Sequence, residues 1–518
     1  MYQPSKREYI EKAQNYNLIP VYREYVVDTE TPASIFMKAG GLEKESFLLE
    51  SIEGAINLSR YSFMGVGIKS RLVFDNNVFS QIRENQGERV VRIANPLKEL
   101  EKVMGDYHIC KDPNLNHFVG GAVGYLSYDL VKYFENIKLP EEKIHFPEMM
   151  LYLTDMVIVF DHLFNRMKIV STIKIDKDTP PERAYSLSVE KIEDIQARIF
   201  QTNVFKEIRN NSFGLEGLKS NIDNNFISGD FIDFNSLDQS SNGSFGDISK
   251  NSNFTKPDFL EAVEKAKKYI IEGEAFQVVL SQRFSKSYSS NPFSIYRRLR
   301  TINPSPYMFY INFGDFQIIG SSPEPLVKIS GRKILTCPIA GTRKRGKDPR
   351  EDKILINDLL SDEKERAEHN MLVDLARNDL GRVCKYGSVK VKKCMSVEKY
   401  SHVIHLVSRV EGILDPNKSI YQALESTFPA GTLTGAPKVR AMQIISELEP
   451  CRRGPYGGVV GYFGYDGSLD SCITIRTALV KDGKVFIQAG AGIVYDSVPE
   501  NEWKETINKA APLFRAVS

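Results

Sequence analysis

An α+β fold built on antiparallel strands is predicted by three features of this sequence. Two Asp-Gly pairs, at 466–467 and 482–483, sit between β-rich runs in the stretch 458–494, and Asp-Gly between such runs is a strong hairpin signal. Segments that read as helices, with their own start and stop residues, flank that stretch. The strict strand–helix alternation of a parallel, doubly wound sheet is missing.

The totals bound what the chain can be. Its 518 residues suffice for two or more domains, or for one large sheet-based unit with a substantial core. A formal net charge of +2 gives no general pull toward nucleic acid or membranes, and no run of about 18 apolar residues offers a membrane span. The opening residues, MYQPSKREYIEKAQ, lack the apolar stretch of a secretory signal. Six cysteines are scattered at 110, 337, 384, 394, 451 and 472, without a CxxC pair or zinc-finger spacing. Reduced thiols in a cytoplasm are expected.

Residues 206–253 divide the chain. Asn, Ser and Gly supply 23 of these 48 residues, a density that makes a packed core unfavourable. A linker or long surface loop is expected there, between an N-terminal part, 1–205, and a C-terminal part, 254–518.

The C-terminal part opens on a helix. Thr255 can cap it with Asp258 reaching back; Phe259, Ala262, Val263, Ala266 and Ile270 supply the apolar face, and Gly273 ends it. The strand AFQVVLSQ follows at 275–282. Residues 340–353, AGTRKRGKDPREDK, read as a basic solvated loop, whose leading Gly341 and Thr342 let a ligand approach the backbone. The stretch 359–381 predicts one helix with Met371, Leu372 and Leu375 on its apolar stripe. Glu368 falls on the same stripe, and Glu365 sits one turn back on nearly the same face. A buried carboxylate calls for a cation. Lys364, four residues before Glu368, could pair with it along the helix, in the weaker orientation of such pairs, or the stripe could emerge into solvent at this end.

Further along, His405 lies between Val403 and Val407 on one face of a strand, where a lone histidine is commonly a hydrogen-bonded structural residue. Residues 431–448 carry a small-residue turn into a helix, with Pro437 near its start and Val439, Met442 and Ile445 on the packing face. Such a start can hold an anion, but the glycine and lysine spacing is not that of a P-loop. In SCITIRTAL, 471–479, Ile473, Ile475 and Leu479 face one way and Cys472, Thr474, Arg476 and Ala478 the other. Small neighbours leave the Arg476 guanidinium room to grip a ligand carboxylate, or a neighbouring acid. Gly490 and Gly492 in QAGAGIV either open the strand backbone to a ligand or bend it. In the last helix Ser497 and Glu500 can form a capping box, and Trp503, Ile507, Ala510, Ala511 and Phe514 share the buried face. Periodicity turns Glu502 and Glu505 toward solvent.

Seven stretches occur in the order seen in the chorismate-utilising enzymes: PIAGTRKRG, DEKERAEHNMLVDLARNDLG, KYSHVIHLVSRVEG, FPAGTLTGAPKVRAM, GPYGGVVGYF, CITIRTALV and QAGAGIVYDSVPENEWKET. The chain resembles that family over nearly all of 254–518, and into the N-terminal part through FLLESIEG, 47–54. Its motifs are most similar to those of the large subunits of anthranilate synthases. The resemblance implies two antiparallel sheets packed together with helices outside. It implies Mg2+ as the missing cation, ligated by Glu368 and Glu505, with Glu365 and Glu502 supporting them. The polar face of the last helix would then look into a site instead of at bulk water. The ring carboxylate of chorismate would meet the ion. Arg476, Tyr456 and the N–H groups around Gly490, Ala491 and Gly492 would cradle the enolpyruvyl carboxylate, with Gly341 and Thr342 as further contacts. His405 matches the family's proton-transfer histidine, and Thr432 and Lys438 match positions near the site.

The implied reaction adds ammonia to the ring, expels the 4-hydroxyl and eliminates pyruvate to leave anthranilate, on the way to tryptophan. No glutaminase is recognisable, so a separate glutamine amidotransferase subunit would supply the ammonia. Ala340 stands where many aminodeoxychorismate synthases carry a lysine that attacks the ring, which favours anthranilate. An aminodeoxychorismate synthase and a non-catalytic chorismate-binding subunit are the alternatives. Ser51, Pro304, Ser305, Pro306, Tyr307 and Met308 match the family's tryptophan-binding elements, which implies feedback inhibition.

Overall fold

The computed structural model describes residues 1–43, 45–51, 60–83, 87–201, 251–399 and 403–518. All but the last three residues of the 206–253 segment, and the part of FLLESIEG beyond Ser51, lie outside them.

Two large antiparallel sheets make the frame. The first runs Val21–Val26, Arg166–Ser171, Met156–Asp161, Tyr61–Val66, Ser46–Glu50, Tyr307–Asn312, Phe316–Ser322, Thr477–Lys481, Lys484–Ile493, Gln277–Ser287 and Gly435–Ala436. The second runs Ile339–Lys344, Val403–Ile413, Lys333–Thr336, Pro325–Ser330, Leu469–Ile473, Val459–Gly464, Gly121–Leu126, Met149–Thr154, Ser70–Asp75, Val78–Arg83 and Gly87–Arg92, with Lys390–Lys399 also pairing Val403–Ile413. Both sheets draw on both sides of the 206–253 segment: Leu49 pairs with Phe309 in the first, and Tyr125 with Val460 in the second. The composition break therefore divides the chain without dividing the sheets.

Strand Tyr307–Asn312 shows how the layers form. Phe309 and Ile311 enter the core between the sheets, while Met308 and Tyr310 enter the core beneath the outer helices. Both faces are buried, so the strand reads as a continuous apolar run. Each such side chain contributes on the order of 1.5–3 kcal/mol. Between the sheets the Tyr152 hydroxyl donates to the Asn312 carbonyl at 2.6 Å. Helices Pro32–Lys38, Pro181–Gln201 and Pro292–Ile302 cover the first sheet, and Pro96–Gly105 and Ile420–Thr427 the second.

Both Asp-Gly turns form. Asp482 at φ 49° and Gly483 at φ 68° close the hairpin between Thr477–Lys481 and Lys484–Ile493, the two-residue turn that needs positive φ twice. Gly467, at φ 82°, lies in the turn joining Val459–Gly464 to Leu469–Ile473. Helix Lys256–Ile271 is capped as expected: the Thr255 hydroxyl accepts from the Asp258 N–H and donates to its carboxylate at 2.7 Å.

Four local expectations fail. The helix expected over 359–381 is two. Asp362 ends Pro349–Ser361 and caps Glu363–Gly381, accepting from the N–H groups of Lys364 at 3.0 Å and Glu365 at 3.1 Å; a short carboxylate competes for helical N–H groups and stops the helix. SCITIRTAL is not one strand. Its alternation stops at Ile473, where the chain leaves the second sheet and joins the first at Thr477, with Arg476 at φ 47° in the crossing. Val439 is exposed, because Ala441 and Ile444 join Met442 and Ile445 in packing helix Lys438–Leu448. The capping box of the last helix does not form. Val498 is the N-cap, and Ser497 instead accepts from the Val494 N–H at 3.1 Å and bonds Glu502.

None of the six cysteines is in a disulfide. Among the described residues no helix is long and apolar enough to cross a membrane.

Candidate active site

Two acidic helices reach one region from different sheets. Helix Glu363–Gly381 packs on strands Ile339–Lys344 and Val403–Ile413 of the second sheet. The buried His369 fastens it there, with Nδ1 3.3 Å from the Ala340 carbonyl oxygen and Nε2 2.6 Å from Ser408 Oγ. Helix Pro499–Val517 packs on strand Lys484–Ile493 of the first sheet.

Glu368 is half-buried, as its place on the stripe required, and Gln277 Nε2 donates to it at 3.2 Å. Burial raises its pKa, the Gln277 bond opposes that, and the charges of Glu365 and Glu505 raise it further. Lys364, the local candidate, turns its charge on Glu502. A further positive charge stands on the last helix: Lys509 Nζ lies 2.7 Å from Glu505 and 3.0 Å from the Gly490 carbonyl oxygen. Its charge opposes the upward shifts of Glu324, Glu368 and Glu502.

Periodicity misplaced one of the last helix's acids, Glu502. Glu502 is only 9 % exposed, and the Glu505 side chain is 46 % exposed. Burial raises the Glu502 pKa, Ser497 lowers it, and Glu505 raises it. The helix has an apolar face in the core, and its polar face is near enough to the other acidic helix for Lys364 to act on Glu502 and Glu505 on Glu368. Glu365 is held by Arg343 at 3.0 Å. Among the described residues no three acidic, His or Cys side chains stand as a preformed ligand cluster.

The first sheet supplies an open backbone edge. A Cβ on Gly492 would stand 2.5 Å from Gln277 Nε2, and one on Gly490 would stand 2.9 Å from the Tyr456 hydroxyl, so glycine leaves both side chains their places. Lys509 takes the Gly490 carbonyl outside the ladder with Gln277–Ser287. In an antiparallel strand a residue's N–H points the same way as its C=O. The N–H groups of Gly490 and Gly492 therefore point to that open side. Ala491, between them, is fully buried against the core. Gln277 is buried, and its Oε1 has no hydrogen-bond partner among the described residues.

Arg476 sits at the crossing between the sheets. Ser321 N–H donates to its carbonyl at 3.1 Å, and the Ile473 N–H donates to the Glu324 carbonyl at 3.1 Å. Burial lowers the pKa of Arg476 and the charge of Glu324 raises it. Burial pushes the Glu324 carboxyl up to about 8, against the Thr432 hydroxyl, which donates to it at 3.0 Å, and the charges of Arg476 and Lys509. His405 pairs with Thr342 across the ladder, with Nδ1 2.9 Å from Thr342 Oγ1 and 3.3 Å from the Gly341 carbonyl oxygen. Burial takes its pKa down to about 4; the Gly341 contact raises it and Arg476 lowers it. Gly341 itself is at φ 81°, in a bulge between Ala340 and Thr342.

The family model described as chorismate binding enzyme matches residues 48–515. The chain belongs to this family. Among the chorismate-binding enzymes it is similar to, anthranilate synthase component 1 of Acetivibrio thermocellus is 46% identical over 100% of this chain and 99% of that protein. Anthranilate synthase component 1 of Aquifex aeolicus is 45% identical over 98% and 96%. The crystal structure of anthranilate synthase component I from Streptococcus pneumoniae superposes with a TM-score of 0.70 at 36% identity, covering 94% of this chain and 98% of that one. The Escherichia coli isochorismate synthase MenF shares the fold, with a TM-score of 0.66 at 20% identity and coverage of 98% and 97%. The two packed antiparallel sheets with outer helices are thus the architecture of the chorismate-binding enzymes.

Two sets of residues singled out by resemblance fall away from the acids. Lys438 Nζ is committed to Asp379 at 2.8 Å, and Asp379 lines a cavity that it shares with Glu324 and Thr432. Ser51, Pro306, Tyr307 and Met308 line a separate pocket with Glu50, Tyr61, Tyr462 and Asp470. The Tyr307 hydroxyl donates to Asp470 at 2.9 Å, and Ser51 Oγ is buried with no partner among the described residues. Ser305 bonds Ser321 at 2.9 Å, just behind the Arg476 crossing, and Pro304 precedes it.

Three residues near the acids or the Arg476 crossing escaped sequence reading. Lys509 had a signal, since it lies four residues after Glu505 on the polar face of the same helix. Glu324, in SSPEPL, and Gln277, at a strand start, had none, because neither stands in a periodic pattern.

Proposed function

We propose that this chain works as the chorismate-converting large subunit of an anthranilate synthase. It turns chorismate and ammonia into anthranilate and pyruvate, as a lyase, with ammonia delivered by a partner glutamine amidotransferase subunit. The setting is the first step of tryptophan formation in the cytoplasm, where six unpaired thiols stay reduced. The observation that carries this reading is the full-length match to proteins named anthranilate synthase component 1, which leaves no part of the fold unaccounted for.

The acidic region suits Mg2+, a hard cation that takes oxygen ligands, keeps several waters and needs only one or two carboxylates. The donors here are all carboxylate oxygens, and like charge raises the pKa of Glu368 and Glu502, a repulsion a divalent cation relieves. In this reading Glu368 and Glu505 hold the ion, Glu365 and Glu502 support them, and Lys509 balances the charge. The bound ion supplies positive charge for the ring carboxylate of chorismate.

The chain's own groups divide the remaining work. Arg476 and the N–H groups of Gly490 and Gly492, beside the Tyr456 hydroxyl, hold the enolpyruvyl carboxylate, with Gly341 and Thr342 opposite. The orphaned Gln277 Oε1 accepts a hydrogen bond from ammonia and aims its lone pair at the ring. Glu324, still largely protonated near neutral pH, gives its proton to the departing 4-hydroxyl, while Thr432 fixes its orientation. His405 is neutral at that pH. With its Nδ1 against the Gly341 carbonyl and the Thr342 hydroxyl, the neutral imidazole acts as the base for the ring proton as pyruvate departs. Environments that push two titrating groups apart assign the acid and the base.

The pocket at Ser51 suits tryptophan as an inhibitor. Tyr61, Phe63 and Tyr462 offer an aromatic ring its walls, Glu50 and Asp470 offer charge to an amino group, and Ser51 Oγ needs a partner. An aminodeoxychorismate synthase that works through a lysine is disfavoured by Ala340, which has no amine.

The test is direct. The purified chain is incubated with chorismate, Mg2+ and an ammonium salt at alkaline pH, and anthranilate fluorescence and pyruvate are followed. Both products are expected, and EDTA should stop their formation. Aminodeoxychorismate without pyruvate would overturn the assignment.

A further inference from the structure

Arg343 joins two things that the reaction needs kept in register. Its guanidinium donates through Nε to Asp358 at 2.7 Å, through Nη2 to Asp362 at 2.7 Å and through Nη1 to Glu365 at 3.0 Å. Those three acids are the last turn of one helix, the residue at the helix break, and the first turn of the next. Nη1 also donates to the Thr342 carbonyl at 3.1 Å, and the Thr342 hydroxyl is the group that meets His405.

Glu365 is divided by this arrangement. Its Oε1 takes the Arg343 bond, while Oε2 stands 3.3 Å from where a Cβ on Gly341 would be. One oxygen is anchored and the other is presented over the backbone beside His405. Three acids crowded at a helix break would otherwise repel one another, and only a planar fork with several donors can bridge them at once. The side chain is 22 % exposed, so solvent only partly screens the cluster.

We propose that Arg343 is a positioning residue for the ion-binding acids. By clamping the break at Asp362 it sets the origin of helix Glu363–Gly381, and with it the places of Glu365 and Glu368 relative to Thr342 and His405. This rests on the reading of the acidic region as the ion site. Arg345 provides the contrast. It binds Asp352 at 2.8 Å, also tying the loop to a helix, but Asp352 belongs to the helix before the break.

The experiment measures Mn2+ binding to the full-length, metal-stripped chain by the loss of the free-ion EPR signal in the presence of chorismate, alongside steady-state turnover and thermal unfolding. Arg343→Gln is expected to weaken Mn2+ binding at least tenfold and to lower kcat more than tenfold, with the KM for chorismate changed less than threefold. Arg343→Lys, which keeps the charge but cannot bridge three acids, should fold and still bind Mn2+ at least fivefold more weakly. Arg345→Gln should leave the Mn2+ constant within twofold. Wild-type Mn2+ affinity in Arg343→Gln or Arg343→Lys, or equal weakening in Arg345→Gln, would overturn the positioning role alone. No Mn2+ binding by the wild-type chain would sink the ion site, and this inference with it.

Discussion

Lys509 Nζ lies 2.7 Å from the Glu505 carboxylate and 3.0 Å from the Gly490 carbonyl oxygen, joining the last helix to the open edge of the first sheet. Its charge also reaches Glu324, whose carboxyl titrates at about 8. A group that acts as a proton donor loses activity as pH rises through its pKa. At a fixed concentration of unprotonated ammonia, kcat should therefore fall above about pH 8. Lys509→Gln removes a charge that holds this pKa down, so the alkaline limb should move to higher pH while kcat drops. A pH–rate profile in which the limb stays put or moves down would exclude the acid role of Glu324.

Glu368→Gln should reduce turnover by roughly 100-fold or more, the range for loss of a key charged group in a closed site. Burial and like charges already raise the Glu368 pKa, so the neutral variant should melt no earlier than wild type in EDTA. It should lack the rise in Tm expected of the wild-type chain with Mg2+, an ion that would bind only the folded state. Melting curves with and without Mg2+ separate these outcomes; a preserved Mg2+ response would remove Glu368 from the ligand set.

Arg476 holds a backbone conformation, φ 47°, that L residues adopt at a cost of roughly 1–2 kcal/mol. Arg476→Gly should be more stable than Arg476→Ala by about 1 kcal/mol in denaturant unfolding. Both should bind chorismate poorly. Arg476→Lys, which keeps charge but loses the two-pronged grip, should raise the KM for chorismate about tenfold or more. An unchanged KM in the lysine variant would refute carboxylate recognition by this residue.

Tryptophan should raise the Tm of the wild-type chain and inhibit anthranilate formation. Ser51→Ala leaves the pocket's shape but removes a hydroxyl that has no partner among the described residues. Loss of one such hydrogen bond is worth about 1 kcal/mol, so the inhibition constant should rise several-fold. Equal inhibition of wild type and variant would move the inhibitor to another pocket.

The elements that the sequence made legible are those set by neighbours in the chain. The Asp482–Gly483 turn, the Thr255 cap and the apolar stripe that placed Glu368 inward all follow from residues within about four positions of one another. Resemblance extended this to the family. Local periodicity failed where one segment serves two surroundings. Arg476 belongs to neither strand of SCITIRTAL, because the chain changes sheets there, and Glu502 is buried on a polar face, where Ser497 bonds it. The hydrogen-bond partner of Glu368 is Gln277, 91 positions away, and Lys509, whose charge reaches it, is 141 positions away.

The sequence by itself determined the hairpins, the capped helices, the inward turn of Glu368 and the membership of the chorismate-binding enzymes. Those are properties of spacing, and spacing is written in the chain. Only the tertiary structure decided which charges face one another: that Lys509 bonds Glu505 while Lys364 turns its charge on Glu502, that Arg343 bonds three acids at the helix break, and that Glu324 stands beside Thr432 and Arg476. Electrostatic partners act across space through a low-dielectric interior, and the distances between them are fixed by two sheets whose strands come from both ends of the sequence.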